Sequence, residues 1–145
     1  VSGLMFCAAS FAANPLLGPS TPVLVRMGAS LGQLTIGGKE AWRLVTPLYL
    51  HAGLVHYAIN MLVLIRFGVD VERIYGWFRV GVTYMLAGIF GVMAGVALSP
   101  HMVSVGASGA IFGLFGASLG HILQNWGVIE HPRKAVVRTV LGVAL

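Results

Sequence analysis

Acidic side chains are almost missing from this sequence: aspartate and glutamate number 4 in 145 residues, and all charged types together make up 9%. A soluble domain is charged at roughly a quarter of its positions, so an ordinary water-facing surface is excluded. Cysteine occurs once, as Cys7, which rules out an intrachain disulfide. Its neighbours Phe6 and Ala8 make it a packed or lipid-facing thiol. Lysine and arginine number 9, but they are scattered between apolar runs without aromatic interleaving, which argues against a nucleic-acid partner.

Apolar residues are plentiful, at 57% of the chain. The sequence accordingly predicts an all-α, polytopic membrane helical bundle, organised as one domain over 1–145 with the bilayer as its surroundings. Residues 1 to about 17 end at Asn14-Pro15 and are expected to close a first helix. A stretch at about 18–46, broken by Gly18-Pro19-Ser20, Pro22, Gly28, Gly32 and Gly37-Gly38, is expected to be a long irregular loop. Its mixture of Trp42, Arg26 and Arg43 with aliphatic residues suits the membrane interface. Thr46-Pro47 predicts a helix start and a span to Phe67, about 31 Å long. Further spans are expected at about 80–98, from Gly106 to Trp126-Gly127, and from Ala135 onward. Arg66, Arg73 and Arg79, and then Arg133, Lys134 and Arg138, mark two connections as cytoplasmic-type, whereas the 99–106 connection has no such residue. Glycine pairs at 91/95, 109/113 and 116/120 predict close helix contacts. Val1 is not an initiator methionine and Leu145 falls inside an apolar run, so the sequence is expected to be incomplete at both ends.

Polar groups inside such spans are costly, which makes them informative. His51, His56 and Asn60 stand among aliphatic residues, with His56 and Asn60 four apart and hence on one helical face. That pair fits interhelical hydrogen-bond glue as well as it fits a reactive site. Ser108, in Gly106-Ala107-Ser108-Gly109, lies at a predicted helix start, where unpaired amides and the positive end of the dipole collect. A serine there can act as a nucleophile while its own N–H faces a developing oxyanion; taken alone, GASG more often means capping or close packing. Counting from Pro47, His56 and Asn60 should lie about 14 to 20 Å down their helix, deeper than Ser108, unless the apolar segment 102–105 dips into the membrane.

Taken together these residues resemble the rhomboid family. The resemblance rests on Trp42-Arg43, on His51-Ala-Gly-Leu-Val-His56-Tyr-Ala-Ile-Asn60, on Gly68 to Glu72-Arg73 with Gly76, and on Gly106-Ala-Ser108-Gly109. It implies a six-helix core, here truncated before the final helix, that cleaves transmembrane protein substrates near the membrane surface without metal or cofactor. By that likeness the catalytic residues are Ser108, the nucleophile, with His56 and Asn60 as oxyanion donors. His51 is then structural, and Glu72-Arg73 stabilises a loop. The family's general-base histidine belongs to a sixth helix and is expected beyond this chain, which by itself should be inactive. His101, His121 and His131 are expected to be structural or surface residues. Phe112 stands where many members have a tyrosine, keeping the stacking surface and losing the hydroxyl. A rhomboid-like pseudoprotease that binds or escorts membrane clients is the alternative.

Overall fold

The computed structural model describes residues 18–144, so the predicted first helix and Cys7 lie outside the described residues. Among the described residues there are five α-helices: α1 (Thr21–Met27), α2 (Leu54–Tyr75), α3 (Trp77–Leu98), α4 (Ser108–Gln124) and α5 (Pro132–Ala144). Among the described residues there is no strand, only an isolated antiparallel bridge between Ser30 and Ser104. The two 22-residue helices, α2 and α3, are long and apolar enough to cross a membrane.

Helix α4 is the centre of the bundle, packing against α2, α3 and α5. Its tightest partner is α3, and small residues are the reason. A methyl group added at Gly91 would lie 3.4 Å from the Gly109 Cα, and one added at Gly113 would collide with the Ala87 Cβ. Lipid gives apolar side chains no reason to associate, so backbones this close gain dispersion contacts that larger residues would forbid. Of the six glycines expected at contacts, Gly95, Gly116 and Gly120 face nothing within 4 Å. The spacing rule selects candidates, but only the crossing point decides which are used.

Along α2 the buried positions are Asn60, Val63, Phe67, Gly68 and Val71, a single stripe at helical spacing. Val63 meets Ala107 and Ile111, while Phe67 and Val71 meet Leu114. The stripe therefore runs down one side of α4.

Three sequence expectations change. The helix expected from Pro47 starts at Leu54: Thr46–Tyr49 forms a 3-10 turn, and the chain is extended at Leu50. Thr46 does not cap it, because its hydroxyl instead donates to the Gly28 carbonyl at 2.7 Å. The connection expected at 66–79 is helical apart from Gly76, whose φ of 79° turns the chain in one residue. No breaker precedes it, since Gly68 sits inside the helix against Leu64. Glu72 and Arg73 thus belong to the last turns of α2. The stretch at 18–46 is not irregular either: besides α1 it contains a π-turn at Gln33–Gly37 and a 3-10 turn at Ala41–Leu44.

Arg43 explains how that segment holds together. Its guanidinium is buried, donates to the carbonyls of Val25 and Ala29 at 2.6 and 2.9 Å, and pairs with Glu40 at 2.6 Å. It also lies 4.4 Å from the centre of the Trp42 ring. A residue expected to sit in the interface is the internal clasp of the loop.

Two measurements by thermal unfolding in detergent follow. Gly113→Ala should destabilise the protein by about 1–3 kcal/mol through overpacking, whereas Gly116→Ala should be neutral or stabilising by up to about 1 kcal/mol. Arg43→Ala should cost about 1.5–3 kcal/mol by stripping charged hydrogen bonds from two carbonyls, and Arg43→Lys should not restore it, because an ammonium lacks the planar fork.

Candidate active site at the start of α4

The segment before α4 is positioned by backbone pairing with the first loop. Ser30 and Ser104 exchange both of their N–H···O bonds, at 3.0 and 2.9 Å, and Gly32 N–H donates to the Pro100 carbonyl at 2.9 Å. Gly106 N–H then donates to the Pro47 carbonyl, also at 2.9 Å. Val103 and Val105 complete the seam by packing on Leu24, Ala29 and Leu50. A non-helical chain at membrane depth is tolerable only when its polar groups are satisfied internally, and these bonds do that.

Gly106 carries the decisive geometry. Its φ is +121°, a region costly for any side chain, and a Cβ there would stand 2.8 Å from His56 Cε1 and 2.9 Å from His56 Nε2. The imidazole therefore lies against the bare Gly106 backbone, two residues ahead of Ser108. Ser108 is the first residue of α4 and is exposed, while Ala107 beside it is fully buried against Val63 and Ile111.

The depth mismatch expected from the sequence disappears here. Because α2 begins at Leu54, His56 lies in its first turn, about 3 Å along the axis, and Asn60 about 9 Å along. The starts of α2 and α4 face the same end of the bundle, so no deep re-entrant approach is needed.

The imidazole is oriented from the other side by Ala52, whose N–H donates to His56 Nδ1 at 3.4 Å. Nδ1 is then the acceptor, leaving the proton of the neutral ring on Nε2, which with Cε1 forms the edge of the ring that faces Gly106. Asn60, 5% exposed, donates from Nδ2 to the His56 carbonyl at 2.8 Å. That leaves it one amide hydrogen. His51 is outside α2, in the extended chain before it. It stacks edge-on against His56, with centroids 5.3 Å apart, and against Tyr57 at 5.1 Å. Burial, and then the nearby His56, push its pKa down to about 4, so it is a neutral wedge at physiological pH.

The structure thus brings His56 to the GASG turn and places Asn60 one turn beneath it. Among the described residues no side chain hydrogen-bonds the Ser108 hydroxyl. Phe112, one turn below Ser108, is 60% exposed on the same face of α4. His101 sits on the surface 3.4 Å from Gln33, His121 packs on Tyr75 at the far end of α4, and His131 is exposed. Two contributors escaped the sequence reading. Gly106 as the seat of the imidazole was visible only as a glycine, and the Ala52 amide left no sequence signal at all.

This is the architecture of a polytopic helical membrane protein with a serine at an inner helix start. The Rhomboid domain family model matches residues 38–145. The chain is 37% identical over 132 residues to RHOMBOID-like protein 6, mitochondrial, of Arabidopsis thaliana, covering 91% of this chain and 43% of that protein. It is 36% identical over 131 residues to Rhomboid-like protease 2 of Toxoplasma gondii, covering 90% and 46%. It is also 37% identical over 131 residues to Inactive RHOMBOID-like protein 8 of Arabidopsis thaliana, covering 90% and 37%. The chain belongs to the rhomboid family, and it spans less than half the length of these relatives.

A double-mutant cycle tests the contact at the centre of the site. Gly106→Ala should destabilise the protein by about 1–3 kcal/mol through backbone strain and the imidazole clash. In a His56→Ala background the same change should cost at least about 0.5 kcal/mol less. Strict additivity in thermal unfolding would show that the ring does not rest on Gly106.

Proposed function

We propose that the chain is the core of an intramembrane serine endopeptidase, cleaving transmembrane protein substrates near the membrane surface. The observation that supports this best is the His56 imidazole resting on Gly106, two residues from Ser108, with its Cε1–Nε2 edge toward the turn. In this reading Ser108 Oγ attacks the scissile carbonyl, and its proton passes to a histidine base supplied by the longer protein. As the C–O bond forms, negative charge grows on the carbonyl oxygen. His56 Nε2–H, the remaining Asn60 amide hydrogen and the Ser108 N–H, one of the amides that a helix start leaves unpaired, donate to it. Collapse expels the amine with a proton from that base, and water then hydrolyses the acyl-serine.

Each supporting group has a chemical reason. Ala52 fixes the tautomer that a donor at Nε2 requires, and the Asn60 bond to the His56 carbonyl holds the first turn of α2 in register. His51 and Tyr57 limit rotation of the ring by packing. Phe112 offers an aromatic face one turn below the nucleophile, against which an imidazole base can stack.

A second reading, that of an escort for membrane clients, draws on the 37% identity to a relative named inactive. Retention of Ser108, His56 and Asn60 together favours the protease, since a binder needs neither a nucleophile nor oxyanion donors.

Cleavage of a transmembrane substrate by the full-length protein in proteoliposomes decides between them. Ser108→Ala should lower the rate by more than about 10³-fold, and His56→Ala should lower kcat by about 10²–10³-fold. Full cleavage by Ser108→Ala, or no phosphonate labelling of Ser108 in the wild type, would leave the escort reading standing.

A further inference from the structure

At the opposite end of the bundle from Ser108, a cavity of about 800 Å³ opens between α2, α4 and α5. Its rim is basic: Arg66 comes from α2, and Arg133, Lys134 and Arg138 come from α5, against the single carboxylate of Asp70. Asp70 is itself 3.5 Å from Arg73, and among the described residues none of the four cations makes an ion pair. Lys134 and Arg138 are four apart on one helix, a spacing at which like charges repel. The first turn of α5 has no acidic residue to offset them, at the end of the helix where cations are least favoured.

Deeper in, two hydroxyls line the same cavity. Ser118 of α4 and Thr139 of α5 are only 6% and 7% exposed, and among the described residues neither makes a side-chain hydrogen bond. Their oxygens are not among the fully enclosed unpartnered atoms, which among the described residues belong to His51, so they open onto the cavity. Phe67, Ile122 and Leu141 supply the apolar remainder of the wall. Cations outside, unpartnered donors beneath and hydrocarbon beside them form a sequence in depth.

We propose that this cavity is a binding site for an anionic phospholipid. Its phosphodiester sits among Arg66, Arg133, Lys134 and Arg138, its ester carbonyls accept from Ser118 and Thr139, and an acyl chain lies along the apolar wall. Basic pockets between membrane helices recognise anionic headgroups in this way. The hydroxyls beneath the cations favour a lipid over free phosphate, because ester carbonyls below a headgroup reach them where a small anion held at the rim does not. The proposal is independent of the catalytic reading, using no residue placed near Ser108.

The test is native mass spectrometry of the full-length protein, equilibrated in detergent with equal phosphatidylglycerol and phosphatidylcholine. Wild type should retain phosphatidylglycerol with a preference of about tenfold or more. Arg133→Gln with Arg138→Gln should abolish that preference, since about fivefold per cation removed is enough to cancel it. Arg79→Gln, at an exposed basic residue that does not line the cavity, should leave it unchanged. Ser118→Ala with Thr139→Val should weaken retention without altering charge. No headgroup preference in wild type would overturn the proposal. So would an equal loss per cation in the Arg79 variant, which would signify surface charge alone, or displacement of the lipid by millimolar inorganic phosphate, which would signify a free-anion site. If the cavity variants fail to fold, the wild-type lipid competition and phosphate displacement still decide it.

Discussion

The contact between α3 and α4 sets the positions of everything else in this molecule. Where Gly91 meets Gly109 and Ala87 meets Gly113, the two backbones approach as closely as glycine allows. This crossing lies in the first two turns of α4, immediately below Ser108. Fixing α4 there brings Ala107 against Val63 of α2 and Leu114 against Phe67 and Val71. The inward stripe of α2, with His56 and Asn60 at its upper end, is consequently directed at the GASG turn. One close approach, possible only because side chains are missing, aligns both halves of the site.

A second constraint is electrostatic bookkeeping in a medium without water. Between Gly18 and α2 the chain is built of one short helix and three single helical turns, and polar backbone groups shut off from water there need a partner from protein. The Ser30–Ser104 bridge, the Gly32–Pro100 bond and the Gly106–Pro47 bond serve the segment leading to Ser108. Arg43 serves the carbonyls of Val25 and Ala29. The turn that presents the serine is therefore held by the first loop as much as by its own helix.

Much of this was legible in the residues, and what was not has a physical cause. The polar residues in apolar surroundings, the GASG turn, the break at Ser99-Pro100 and the membership of the rhomboid family all followed from type and order. The start of α2 did not, because Thr46-Pro47 satisfies the rules for a helix start while tertiary bonding diverts the Thr46 hydroxyl to Gly28. That error of seven residues produced the false difference in depth between His56 and Ser108. Arg43 was misplaced for a related reason: a charged residue beside tryptophan is ordinarily interfacial, and its burial is visible only once the carbonyls it binds are assembled around it. The cavity near α5 left no motif, since its residues come from three helices that are far apart in sequence.

Gly76 joins two long helices through one residue, with no slack. Adding a single amino acid at that joint would turn α3 by about 100° relative to α2, carrying Gly91 away from Gly109 and placing larger side chains at the crossing. The hairpin thus acts as a fixed ruler for the bundle. An insertion at this corner would therefore draw His56 and Ser108 apart, whereas one in the turn between α4 and α5 lies outside the path that joins them.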